Sequence, residues 1–178
     1  VDSILTFVSF ESDKLHNIQF TQNDVELLKK HQCPFQVLSY LHDSHHSSYG
    51  LEAAEKLKLD PQRVFKTLVL QLEPTELVVA VLPVSHQLDL KQLAKAAGGK
   101  KAAMALPAIV ERSTGYFLGG VSPLGQKKRL RTFIDQSAAD LPLIYVSAGR
   151  RGLEIEIAPW QLQCLLGAKF VNMVQPCP

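Results

Sequence analysis

Apolar and polar positions along this chain recur with two periods, and these sort most of it into helices and strands. Thr21 to His31 reads as a helix: Thr21 or Asn23 can cap it, Asp24 and Glu26 suit its first turn, and Val25, Leu28 and Leu27 supply the core face. Pro34 blocks its continuation. Phe35 to Tyr40 alternates as a strand, with Phe35, Val37 and Ser39 on one face and Leu38 and Tyr40 on the other. A polar loop rich in histidine, His42 to Ser48, separates it from a short helix, Leu51 to Leu59, and Asp60-Pro61 marks a turn. Val64 to Leu72 and Leu77 to Leu82 are apolar runs joined by Glu73-Pro74-Thr75-Glu76, as in a hairpin or two adjacent strands. Leu88 to Ala97 reads as a helix with Asp89 near its start and Gly98-Gly99 closing it, and Pro107 opens another through Glu111.

Beyond that point the pattern turns strand-like and glycine-rich. Tyr116-Phe117-Leu118 leads into Gly119-Gly120, and Thr132 to Asp135, Leu143 to Ser147 and Leu153 to Ile157 read as three short strands. A helix from Trp160 to Leu166, started by Pro159, and a last strand, Lys169 to Val174, complete the chain. This order is not the regular alternation of a doubly wound sheet. It predicts an α+β domain whose mixed sheet curls toward a small β-barrel flanked by helices.

The 178 residues, 46% hydrophobic and 20% charged, suit one compact domain. The absence of any 18-residue apolar run argues against a membrane-spanning helix. The opening VDSILTFVSFESDKL has no basic start, and Glu11 and Asp13 interrupt its apolar stretch, so it does not read as a signal peptide. Cys33, Cys164 and Cys177 are an odd number at unrelated spacings, which fits a reducing cytoplasm better than a disulfide framework or a zinc site. The formal charge of +2 hides an asymmetry: residues 1–90 carry −5, residues 91–152 carry +8 and the remainder −1. A basic middle suits either a solvated face or an anionic partner.

Few motifs survive as chemistry. His42, His45 and His46 lie near Asp43, but adjacent histidines in a loop lack the i, i+4 spacing of a helical zinc site. Gly120 to Lys128 departs from a phosphate loop, since Gln126 rather than lysine follows Gly125. Ser113-Thr114-Gly115 is not a nucleophile elbow, and no Ser–His–Asp order can be defended. Lys66 stands out as a single cation inside an apolar strand, either snorkelling at the strand's start or entering a cleft. The run Lys127-Lys128-Arg129-Leu130-Arg131 and the pair Arg150-Arg151 frame the strands after the glycines and suit phosphate contacts.

Four segments together carry a resemblance. They are Tyr49-Gly50-Leu51-Glu52-Ala53-Ala54-Glu55-Lys56-Leu57, Arg63 to Leu68, the long Arg112 to Arg129 stretch RSTGYFLGGVSPLGQKKR, and Tyr145 to Glu156. From about Thr21 to Val174 the chain resembles the YbaK-type bacterial Cys-tRNA(Pro) deacylases, freestanding relatives of the editing domain of prolyl-tRNA synthetases. The resemblance implies trans-editing of cysteine mischarged on proline tRNA, with the substrate's own thiol attacking its ester and no metal, cofactor or protein nucleophile. It implies Lys66 and Gly119 as catalytic residues, the first holding the 3′-terminal region and the second facing the scissile ester. Tyr40, Tyr49, Thr67, Gly120, Ser122, Ser147 and Glu154 fall at substrate-binding positions, Glu154 where the family often has Asp. Lys127, Lys128, Arg129, Arg150 and Arg151 would meet tRNA. The implied partners are the acceptor end of proline tRNA and prolyl-tRNA synthetase, in the cytoplasm, with no membrane or DNA. Residues 1–20 form an extension without an assigned role, and 21–178 the deacylase domain. Ala148 and Arg150 depart from the usual Ser-Gly-Gly-Lys-Arg-Gly-Leu, and an alanine there could trim the pocket. Two alternatives stay open: the same fold acting on Ala-tRNA(Pro) or another aminoacyl-tRNA, and a non-catalytic module that binds tRNA or a synthetase.

Overall fold

A computed structural model describes residues 19–46 and 48–175. The expected 1–20 extension falls almost wholly outside the described residues, as does Cys177. The elements are helices α1 (Gln19–Lys30), α2 (Tyr49–Leu57), α3 (Leu90–Ala96), α4 (Pro107–Thr114) and α5 (Pro159–Leu166). The strands are β1 (Phe35–Ser39), β2 (Val64–Leu72), β3 (Glu76–Pro83), β4 (Ala102–Met104), β5 (Arg131–Asp135), β6 (Ile144–Ser147), β7 (Leu153–Ile157) and β8 (Lys169–Val171). Local chemistry accounts for many ends. The Asp89 carboxylate accepts from the Lys91 and Gln92 amides at the start of α3, prolines stand at the starts of α4 and α5, and Gly115 and Gly167 close those two helices in left-handed geometry.

The sheet runs β1-β7-β6-β2-β3-β5-β8. One edge of β2 is shared: its first residues pair in parallel with β6 (Val64 with Tyr145, Phe65 with Val146), its last antiparallel with β4. Alternation then divides the side chains between two faces. The inner face carries Val37, Phe65, Val79, Ile134, Val146 and Ile155 from six strands into one core with α1, α4 and α5. On the outer face, α3 packs on Leu70, Ala80 and Leu82, while Ala53 and Ala54 of α2 pack against Val64, Val84 and Tyr145. Strands from both ends of the order share one inner core, so the sheet curls as expected. The pairing order leaves β1 and β8 as its two ends, so it stops short of a hydrogen-bonded closed barrel.

Three local expectations are corrected, and one strand, β4, lies outside them. Helix α1 already runs at Gln19, which puts Thr21 and Asn23 inside it rather than at its cap. Asp24 therefore lies beyond the first turn, and it is fully buried, one turn before the equally buried Leu28. Tyr116-Phe117-Leu118 forms no strand: the Tyr116 ring is buried in the core, and Phe117 and Leu118 turn out to solvent. The short β4 carries no alternation that periodicity can register, because two of its three residues are alanine.

Candidate functional site

The register collects one line of polar groups on the outer face, between α2 and α3. Leu38 pairs with Glu154, and Glu154 with Ser147. Lys66 stands one residue beyond the last β2–β6 pair and opposite Leu82. Lys66, Ser147 and Glu154 thus occupy neighbouring positions on β2, β6 and β7, spanning about 10 Å at the usual interstrand spacing. Tyr40, just past β1 on the same face as Leu38, donates its amide to the Gly152 carbonyl at 2.9 Å. Four of the residues singled out in the sequence therefore come together.

Each is held in a definite state. Lys66 is half-buried, and its Nζ donates to the His86 carbonyl at 2.6 Å, with burial lowering its pKa. An ammonium has three protons, so two remain for a ligand. Glu154 is 7% exposed, and burial pushes its carboxyl up to about 8. It is a neutral acid at pH 7, able to donate as well as accept. Burial and the nearby Glu154 push Tyr40 up to about 12, so its phenol also keeps its proton.

The glycine loop closes the α2 end. Gly119 has φ +87°, and a Cβ there would lie 2.5 Å from the Tyr49 ring and 2.8 Å from Arg151 Nε. Arg151 stacks its guanidinium 4.1 Å above the Tyr49 ring centroid and donates to the Leu118 carbonyl at 2.8 Å. It is thus occupied in joining α2, the glycine loop and the β6–β7 turn. A Cβ on Gly120 would come within 3.1 Å of the Arg150 backbone, so this glycine packs against the turn.

Two residues expected at the substrate, Thr67 and Ser122, face elsewhere, and so does Ala148. Thr67 alternates to the inner face, beside Phe65 and Val69, and its buried hydroxyl has no hydrogen-bond partner among the described residues. Ser122 is fully buried, and its Oγ accepts from the Leu124 amide at 3.1 Å inside the loop. Ala148 directs its methyl into the inner core, so the departure at that position does not trim the outer-face site. Lys127, Lys128, Arg129 and Arg150 are exposed, as a phosphate contact requires. Arg131 from the same basic stretch is instead paired with Glu76 through two hydrogen bonds.

Periodicity could not find three further features. Glu52 is fully buried under the histidine loop. Burial favours its neutral form, but the Asp43 amide at 2.6 Å and His42 at 2.8 Å outweigh it and hold the carboxyl below its ordinary value. His46 meets Glu55 instead, and among the described residues no three His, Cys, Asp or Glu converge on a metal position. Ser85 Oγ lies 2.9 Å from His86 Nδ1, on the loop whose carbonyl holds Lys66. A groove of about 710 Å³ opens away from the polar row, between the end of α1, the Pro123–Leu130 loop and α5, with Trp160 exposed on it.

Comparison with known proteins gives this geometry a family. The chain is 38% identical over 151 residues to an Enterococcus faecalis protein named "Putative Cys-tRNA(Pro)/Cys-tRNA(Cys) deacylase EbsC", covering 85% of this chain and 92% of that one. It is 28% identical to the uncharacterized protein YwhH of Bacillus subtilis over 62% of this chain and 70% of that one. A structure described as "a putative trans-editing enzyme for prolyl tRNA synthetase" shares the fold at TM-score 0.77 and 21% identity, covering 89% and 98% of the two chains. Hypothetical protein APE2540 does so at TM-score 0.76 and 22% identity, covering 85% and 98%. Residues 45–165 match the aminoacyl-tRNA editing domain, and the chain belongs to that family.

Proposed function

We propose that this chain is an aminoacyl-tRNA deacylase that clears cysteine from proline tRNA in trans. Its relative from Enterococcus faecalis, whose name carries the same substrate, supports this reading. Cysteine and proline are close in size, so a synthetase pocket cannot separate them by binding alone, and a second hydrolytic site is the general remedy. The observation that carries the reading is the composition of the row. An ammonium with free protons, a hydroxyl, a neutral carboxyl and a phenol are groups that hold and orient a substrate.

Such a site suits a reaction in which the substrate brings its own nucleophile. The cysteine sulfur attacks its ester carbonyl, the C–S bond forms, the bond to the ribose oxygen breaks, and the thiol proton ends on that oxygen. The cyclic thioester then takes up water to give free cysteine. Lys66 holds the terminal ribose and phosphate, and the Gly119 amide meets the developing oxyanion. Prolyl-tRNA synthetase is the proposed partner that hands over the tRNA, and the exposed Lys127, Lys128, Arg129 and Arg150 bind the tRNA backbone.

The contact between Ser85 and His86 favours a second reading, in which a protein hydroxyl attacks the ester. Single-turnover deacylation of Cys-, Ala- and Pro-tRNA(Pro) by wild type, Lys66→Ala and Ser85→Ala separates the two. Loss of cysteine alone, reduced at least a hundredfold by Lys66→Ala and untouched by Ser85→Ala, is the expected result, a hundredfold being the scale at which misplaced substrates lose rate. Hydrolysis of Ala-tRNA(Pro) that depends on Ser85 would overturn the thiol-assisted route.

A further inference from the structure

Helix α1 lies outside the matched 45–165 segment, yet Asp24 reaches from it into the loop that carries the site glycines. The Asp24 side chain is fully buried, with Oδ1 2.7 Å from Tyr116 Oη; that phenol oxygen is also 2.9 Å from the Leu124 carbonyl. The loop backbone closes on the pair: a Cβ on Gly125 would lie 2.3 Å from Asp24 Oδ1 and 2.8 Å from Tyr116 Oη. On its other side the Tyr116 ring supports the β6–β7 turn, where a Cβ on Gly149 would come within 2.6 Å of Cε1. Tyr116 is thus wedged between the two loops that bear Gly119 and Arg151.

The proton count constrains the state of the pair, because the phenol proton goes either to Asp24 or to the Leu124 carbonyl. A phenol has one proton to give, and a peptide carbonyl can only accept. If Tyr116 donates to Leu124, the 2.7 Å contact to Asp24 needs a second proton, and it sits on the carboxyl. Among the described residues Asp24 Oδ2 has no hydrogen-bond partner, which a neutral acid tolerates far better than a buried carboxylate does. Burial also moves the Asp24 pKa the same way, to about 7, against the opposing pull of the Tyr116 and Ser122 hydroxyls.

We propose that Asp24 is a positioning residue for the editing site: as a neutral acid it donates to Tyr116, Tyr116 donates to Leu124, and the chain of protons clamps both loops that frame the substrate. The activity arm of its test rests on the deacylase reading; the exchange arm does not. Asparagine can replace a neutral acid as donor, whereas alanine cannot, so Asp24→Asn, Asp24→Ala and Tyr116→Phe are compared at pH 6.5. In Asp24→Ala and Tyr116→Phe, amide hydrogen exchange across residues 117–125 rises about tenfold or more. The saturating single-turnover rate falls roughly tenfold to a hundredfold, with the half-saturating concentration nearly unchanged. The double variant is no worse than the weaker single one, and Asp24→Asn stays within about threefold of wild type in both readouts.

Asp24→Asn behaving like Asp24→Ala would overturn the neutral-acid assignment, and wild-type exchange in Asp24→Ala would overturn the clamp. If Asp24→Ala fails to fold, Asp24→Asn and Tyr116→Phe still decide by exchange. If wild type deacylates nothing, the function reading falls while the exchange comparison stands.

Discussion

Glu154 carries a proton whose cost can be measured without any substrate. Replacing it by glutamine keeps the shape and removes the ionisation. In the native state burial raises the carboxyl from 4.5 to about 8, whereas the unfolded chain keeps the ordinary value. Between those values the native state holds a proton that the unfolded state has lost, so stability is fully present below about pH 4.5 and is lost as pH rises through about 8. At about 1.36 kcal/mol per pH unit, the loss between pH 5 and pH 9 is on the order of 4 kcal/mol. Urea unfolding of wild type and Glu154→Gln at pH 5, 7 and 9 isolates this contribution, because Asp24 titrates in both proteins and cancels in the difference. The two stabilities lie close together at pH 5, and the variant gains on wild type steadily toward pH 9. Parallel curves would mean that Glu154 ionises like an exposed glutamate, and the neutral acid in the site would have to be abandoned.

Two further outcomes follow from the loops. Gly119→Ala places a methyl group where the Tyr49 ring and Arg151 already are, at a φ that alanine adopts only with strain. It is expected to cost about 1–3 kcal/mol in thermal or urea unfolding and to slow deacylation, and an unchanged midpoint would contradict the close approach. Replacing Lys127, Lys128 and Arg129 singly by alanine should each reduce the slope of log affinity for tRNA against log salt by about 0.7–0.9, read by filter binding. A slope that does not move would exclude that stretch from the tRNA contact.

Much of the architecture is legible because alternation marks a half-buried strand wherever the residues are large. The Phe35 strand carries it, whereas the β2–β3 hairpin and the three strands after the glycines show as short, largely apolar runs. Lys66 is visible for the same reason: one cation interrupts an otherwise apolar run. The elements that escape lack such contrast. The alanines of β4 carry no pattern, and aromatic Tyr116-Phe117-Leu118 imitates a strand although no neighbour pairs with it. Asp24 looks like a solvent-facing helix residue until a tyrosine 92 positions later in the chain takes its carboxyl into the core. Glu52 is equally opaque, since its partners His42 and Asp43 come from a loop whose path no local rule fixes. Ser147 and Glu154 become neighbours of Lys66 only through register, which alternation within one strand does not contain.

The strand order β1-β7-β6-β2-β3 also sets when the site comes into existence. Lys66 and the His86 carbonyl that anchors it lie at the open end of one local hairpin, which can close early. Ser147 and Glu154 join them only after the chain closes a loop of about eighty residues, a slower step for reasons of entropy. A ribosome-bound chain that has emerged only through β5 therefore has the lysine but neither the hydroxyl nor the acid. Competence to destroy aminoacyl-tRNA therefore waits until β6 and β7 have been made and have docked beside β2, however early the hairpin that carries the lysine has folded.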